Sequence, residues 1–143
     1  MHADHFLDLI PLRYALVYGG YHRSEPLPVY LPPGGRDVWE QLVVHFADGR
    51  EPFSQPYSLI EYEEGRDYQM GVANVRFARL RHYIPNYGMK VRGSGTVVYT
   101  GDTGPCPELR SLAQGADVLL CEATWLDSEV APDTRGDLTA KEA

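Results

Sequence analysis

Only two cysteines, Cys106 and Cys121, occur in this chain of 143 residues. Two thiols make no disulfide framework, and their separation is not a zinc-ribbon spacing. A reducing compartment follows. No apolar run approaches the roughly 20 residues that span a bilayer. The first residues lack the charged-then-apolar pattern of a secretory leader. The expectation is a cytoplasmic protein with no membrane partner. Positive charge is also scarce, with 13 Lys and Arg against 20 Asp and Glu and a formal net charge of −7. That excludes a broad basic footprint for nucleic acid, though not a local basic patch. Internal repeats, linkers and low-complexity tracts are missing as well.

What remains is the composition of one ordinary folded domain. Hydrophobic residues make up 43% and charged residues 23%, enough for a core and too few charges for wholesale disorder. The stretch "FLDLIPLRYALVY" (6–18) has close to helical spacing, with Pro11 early enough for a first turn. "PLPVYLPPGG" (26–35) reads as a short extended run closed by a turn. "RDVWEQLVVHFADG" (36–49) reads as an amphipathic helix with Trp39, Leu42, Val43 and Phe46 on one face. "YSLIEYEEG" alternates like a strand, and "YQMGVANVRFARLRHY" reads as one or two more. "GMKVRG" and "GTVVYTGD" follow around a "GSG" turn. "PELRSLAQGA" is a short helix, "DVLLCEAT" a buried-type strand, and "LTAKEA" the start of a helix. This order predicts an α/β or α+β layered domain with helices on the sheet faces.

Several polar residues sit where chemistry could be built. His2, Asp4 and His5 place two imidazoles and a carboxylate within four residues. All three are good ligands for zinc, manganese or iron, yet short His-rich tracts also occur as solvated termini. His82 follows a strand-like run and precedes a Tyr-Gly turn, where a lone histidine is more often structural. Asp102 ends an apolar strand in a Gly-flanked turn before a helix. Open sheets build sites there, and the same position suits a helix cap or an Asx-turn. Glu122 ends a second apolar strand, as a site residue or a solvated acid. Asp137 precedes a helix start, where an N-cap is the more ordinary role. His22 and His45 read as ordinary loop and helix residues, and Cys106 and Cys121 match no catalytic pattern.

Taken in order, "HADH", "RHYIPNYGMKV", "YTGDTGPC", "EATW" and "GDLTAKEA" resemble the motifs of the metallo-β-lactamase superfamily. The similarity is greatest to its ribonuclease Z and cyclic-nucleotide phosphodiesterase branch. It runs over essentially the whole chain. The resemblance implies an αββα sandwich, and the expectation is a single incomplete hydrolase domain over 1–143. "HADH" supplies the last four positions of the family's H-x-H-x-D-H motif. The missing first histidine and a later histidine ligand suggest an internal fragment, without its N-terminal strands and C-terminal end. The resemblance also implies two divalent metal ions, zinc first, with manganese or iron as alternatives. It assigns His2 and His82 to one ion, Asp4 and His5 to the other, and Asp102 as the bridging carboxylate. Asp4 would also orient the attacking water. Glu122 resembles the acid of a pair that protonates the leaving oxygen, and Asp137 stands where that pair has a histidine. Two carboxylates could do this only if one stays protonated.

The function implied is metal-dependent hydrolysis of a phosphodiester bond in a small molecule or cyclic nucleotide. Ribonuclease Z relatives grip transfer RNA with a protruding basic arm inserted between the His82-like and Asp102-like motifs. Here Asp102 follows His82 by 20 positions, room for a hairpin alone, so transfer RNA is not the expected partner. The alternatives are a ribonuclease Z-like RNA endonuclease, hydrolysis of a thioester or lactone on the same fold, and an inactive fragment. A truncated core would expose apolar surface and favour pairing with another chain, such as a homodimer.

Overall fold

The computed structural model describes residues 2–20, 23–46, 49, 52–126 and 135–143. Two compact units divide the chain, residues 1–62 and 63–143. Among the described residues no helix is long and apolar enough to cross a membrane.

The first unit opens with a short 3₁₀ helix, Ala3–His5, followed by α1 (Leu9–Tyr18), β1 (Leu27–Leu31), α2 (Gly35–Val43) and β2 (Tyr57–Glu61). β1 and β2 pair in parallel from Leu27↔Tyr57 to Leu31↔Glu61, the pairing that a helical crossover permits. The helix expected over 36–49 ends at Val43 and leaves Phe46 exposed; positions 47 and 48 of that expectation, like His22, lie outside the described residues. Trp39 is fully buried and donates its indole N–H to Ser54 Oγ at 2.9 Å. It packs with Leu31, Val43, Phe53, Tyr57 and Leu59 as the core of this unit. The buried residue of α1 is a charged one. Arg13 donates Nε–H to the Phe53 carbonyl at 2.9 Å and lies 4.5 Å from that ring's centroid, so hydrogen bonding and a cation–π contact compensate its burial. Burial also pushes the Tyr57 hydroxyl up to about 12.

The second unit holds one five-stranded sheet, in the order β3 (Asp67–Met70), β4 (Ala73–Leu80), β5 (Asn86–Arg92), β6 (Thr96–Tyr99) and β7 (Val118–Leu120). The first four strands form an antiparallel meander, and β7 joins β6 in parallel. α3 (Pro107–Ala113) makes the crossover between them. Its Leu109 and Leu112 pack with Leu80, Val98 and Leu138. The "YQMGVANVRFARLRHY" stretch is therefore two strands, turned at Gly71 and Val72. Tyr87 and Gly88 lie inside β5, where a turn was expected. β7 also departs from the sequence. Its apolar run predicts a buried strand, yet Val118, Leu119 and Leu120 are all exposed. Among the described residues it is the last strand of its sheet and pairs on one side only, and a sequence pattern cannot reveal that position.

Strand direction sets up the site. β4 and β6 flank the antiparallel β5, so they run the same way, and β7 is parallel to β6. The C-terminal ends of β4, β6 and β7 thus meet at one edge of the sheet. His82, Asp102 and Glu122 stand just past those three ends.

Candidate metal centre

At the sheet edge, His82 is the buried pivot, its side chain 4% exposed. Its Nδ1 lies 2.7 Å from the Gly136 carbonyl oxygen. A carbonyl can only accept, so Nδ1 carries the ring hydrogen and donates it there. Nε2 is then the nitrogen with the lone pair, and it lies 3.8 Å from Asp102 Oδ2. Two donors each bonded at about 2.0–2.2 Å to one ion stand about 3–4 Å apart, so this pair fits a shared metal. A second hydrogen bond that fixes the ligating face is also what metal-binding histidines use.

Asp102 is carried by a turn built for it. Gly101 adopts φ +58°, a left-handed conformation that glycine enters without steric cost. Asn86, at the start of β5, donates its side-chain N–H to the Asp102 carbonyl. Thr100 and Thr103, on either side, are fully buried. Their hydroxyls donate to the carbonyls of Gly101 and Gly104 at 2.8 and 3.0 Å. The sequence reading named none of these three supports. The pattern "TGDT", a hydroxyl on each side of the Gly-Asp pair, was the available signal.

Glu122 acts on the same loops. Its Oε1 accepts the N–H of Thr103 at 3.1 Å and of Leu138 at 2.8 Å. Its Oε2 accepts the N–H and the hydroxyl of Thr124 at 3.0 and 3.1 Å. One carboxylate therefore ties together three segments. Asp137 turns elsewhere, with Oδ1 3.4 Å from His82 Nδ1. It does not cap the segment that follows; that is done by Glu142, whose Oε2 accepts the N–H and hydroxyl of Thr139, both at 2.9 Å. "TAKE" is thus a capping pattern of the Thr-x-x-Glu kind. Glu142 is gripped in turn by the buried Arg135 through two bonds of 2.7 and 2.6 Å. That guanidinium first, and the Thr139 N–H next, hold its carboxyl down to about 2.

In the first unit His2, Asp4 and His5 occupy the short 3₁₀ helix and its leading residue. Such a helix has about three residues per turn, so neighbouring side chains point in different directions. The rings of His2 and His5 lie edge-on, 6.1 Å apart. His5 Nε2 lies 3.4 Å from Asp4 Oδ2, again a spacing that one ion can bridge. His2 is half-buried, and Asp4 and His5 are exposed. The chemistry of both donor sets, imidazole with carboxylate, suits zinc, manganese and iron alike.

Within the second unit, a strand-end His and Asp stand at a spacing that one metal ion can bridge. Comparison with known proteins agrees. The beta-lactamase superfamily domain model matches residues 1–143, and the chain belongs to that superfamily, whose members generally bind divalent metals. An uncharacterized protein of Mycobacterium leprae is 31% identical over 137 residues, which are 92% of this chain and 47% of that one. A ribonuclease Z of Mycobacterium bovis is 30% identical over 135 residues, covering 84% of this chain and 48% of that one. The chain therefore spans about half the length of the curated relatives it matches. Among solved structures, the metallo-beta-lactamase fold protein YhfI from Bacillus subtilis superposes with a TM-score of 0.80 at 23% identity, over 100% of this chain and 54% of that one. That likeness shows the fold.

Proposed function

We propose that this chain carries the metal-binding part of a hydrolase that cleaves a phosphodiester bond in a small substrate. The observation that carries the reading is the His82–Asp102 pair. One imidazole nitrogen is committed to a backbone carbonyl, and the other faces a carboxylate 3.8 Å away. The reading assigns His2 and His82 to one divalent ion, Asp4 and His5 to a second, and Asp102 to both. Zinc is the first choice, manganese or iron the alternatives. When bound, such ions make a water more acidic and offset the charge of the phosphoryl oxygens. The chain's own residues do the rest. Asp4, exposed next to His5, accepts a hydrogen bond from the attacking water and orients it. The hydrogen bonds to Glu122 support a positioning part for that residue, because its acceptors are already engaged by backbone and hydroxyl donors. The net charge of −7 and the short 82–102 connection favour a small phosphodiester over a large RNA. The similarity to ribonuclease Z of Mycobacterium bovis keeps RNA hydrolysis as the second reading.

The test is turnover of bis(p-nitrophenyl) phosphate and of cyclic nucleotides by the zinc-loaded chain, with a thioester and a structured RNA in parallel. The expected result is hydrolysis of a phosphodiester and its loss by at least about 100-fold in His82→Ala. Turnover of the thioester alone would overturn the substrate class. Equal turnover by parent and variant would overturn the site.

A further inference from the structure

On the side opposite Asp102, His82 is clamped by a segment that carries none of the proposed ligands. Gly136 supplies the carbonyl at 2.7 Å, and Asp137 places Oδ1 at 3.4 Å from the same ring nitrogen. The approach is close: a Cβ on Gly136 would lie 3.0 Å from His82 Nδ1 and 2.6 Å from Tyr83 Cε2, so that exposed ring would have to move aside. The segment is also pinned on both flanks. Arg135 is locked to Glu142 by two hydrogen bonds. Leu138 is held through its N–H by Glu122, and its carbonyl accepts the Trp125 N–H at 3.0 Å. Asp137 is thereby presented to the imidazole as a fixed group, its own side chain only 16% exposed.

We propose that Asp137 is a positioning residue for His82: together with the Gly136 carbonyl it holds the ring hydrogen on Nδ1 and aims the lone pair of Nε2 at the Asp102 side. This deepens the metal-site reading and rests on it for its purpose, although the placement of the ring hydrogen is a property of the metal-free chain. The negative charge beside Nδ1–H raises electron density on the imidazole, and ligand basicity with it. Asp137 lies against a ligand and needs no contact with substrate. A carboxylate at this position offers only acceptors to the ring N–H and brings a negative charge that a neutral histidine lacks.

The experiment uses the full chain and two readouts. The first is the ring nitrogen chemical shifts and the N–H resonance of His82 in the metal-free protein, measured by NMR for the parent, Asp137→Asn, Asp137→Ala and Asp137→Glu. The parent is expected to carry its hydrogen on Nδ1. Asp137→Asn, which keeps the shape, is expected to move that resonance upfield. Asp137→Ala is expected to add the Nε2–H tautomer, and Asp137→Glu to restore the parent pattern in part. The second readout is zinc affinity by competition with a chelator, expected to fall about 10–100-fold in Asp137→Asn. Far-UV circular dichroism of each variant confirms that the fold is kept. A parent hydrogen on Nε2, identical ring shifts in all four proteins, or zinc affinity in Asp137→Asn within twofold of the parent's would each overturn the proposal. Failure of the parent itself to bind zinc would sink the metal-site reading, and the NMR comparison alone would then decide the role of Asp137.

Discussion

Replacing Glu122 by Gln is the sharpest probe of how the centre is held together. The side chain keeps its shape, so no cavity opens. It loses charge and turns one acceptor oxygen into an NH₂ donor. If the amide nitrogen takes the Oε1 place, it meets the N–H groups of Thr103 and Leu138; in the Oε2 place it meets the N–H of Thr124. Either way at least one backbone donor faces another donor, and an unsatisfied donor in a half-buried place costs about 1–3 kcal/mol. The bonds that survive change from charge-assisted to neutral and lose about half their strength. Together these effects predict a destabilisation of about 2–4 kcal/mol. The assay is urea denaturation of the full chain, followed by circular dichroism, with an unchanged dependence on denaturant to certify the comparison. A loss below about 0.5 kcal/mol would show that the four hydrogen bonds are not what joins these segments. Thr103 lies beside Asp102, so zinc affinity in Glu122→Gln is expected to fall alongside stability.

Further outcomes follow from the same geometry. Zinc at about 100 times its dissociation constant is expected to stabilise the chain by about 2.7 kcal/mol, seen as a higher melting temperature; no shift would refute metal binding, and His82→Ala should abolish it. The Glu142 carboxyl is held down to about 2 by Arg135 and the Thr139 N–H, below its unfolded value of about 4.3. Its contribution is therefore full above about pH 5 and is lost as pH falls toward about 2. Glu142→Gln should flatten that acid limb of the stability profile, and an unchanged limb would assign it to other carboxyls. Asn86→Ala removes the side-chain bond to the Asp102 carbonyl and should cost about 1–2 kcal/mol in urea denaturation. Trp39→Ala empties the core of the first unit and should cost about 3–5 kcal/mol; a smaller loss would mean that neighbouring rings collapse into the space.

The strand-ending positions were the legible part of the site. An apolar run closed by Gly-Asp or by Cys-Glu announces a strand with a polar residue at its tip, and Asp102 and Glu122 are found there. His82 could be placed after β4 by the same logic. Its orientation could not, because the partner that sets it, Gly136, lies 54 residues away in sequence, and no periodicity reports such a pairing. The role of Asp137 was hidden for a related reason. An Asp before "LTAKEA" has the local signature of an N-cap, and only the long-range approach of His82 shows where it turns. Thr139 and Glu142 do carry a capping pattern that the sequence displays. Helical spacing over 6–18 was a sound guide to α1, but Arg13 is buried where the pattern predicts apolar residues, because Phe53 offers both a carbonyl and a ring face. The exposure of β7 depends on which strand ends the sheet, a global property that a seven-residue window does not contain.

The turn between β5 and β6, residues 93–95, lies at the sheet end opposite His82 and Asp102, because each strand crosses the full height between the two. Its three residues are exposed. Extra chain grafted there would enlarge the protein without displacing a ligand. A fluorescent peptide, an affinity handle or a polyanion-gripping extension could be installed at that tip, and the His82–Asp102 pair at the far rim would keep its geometry.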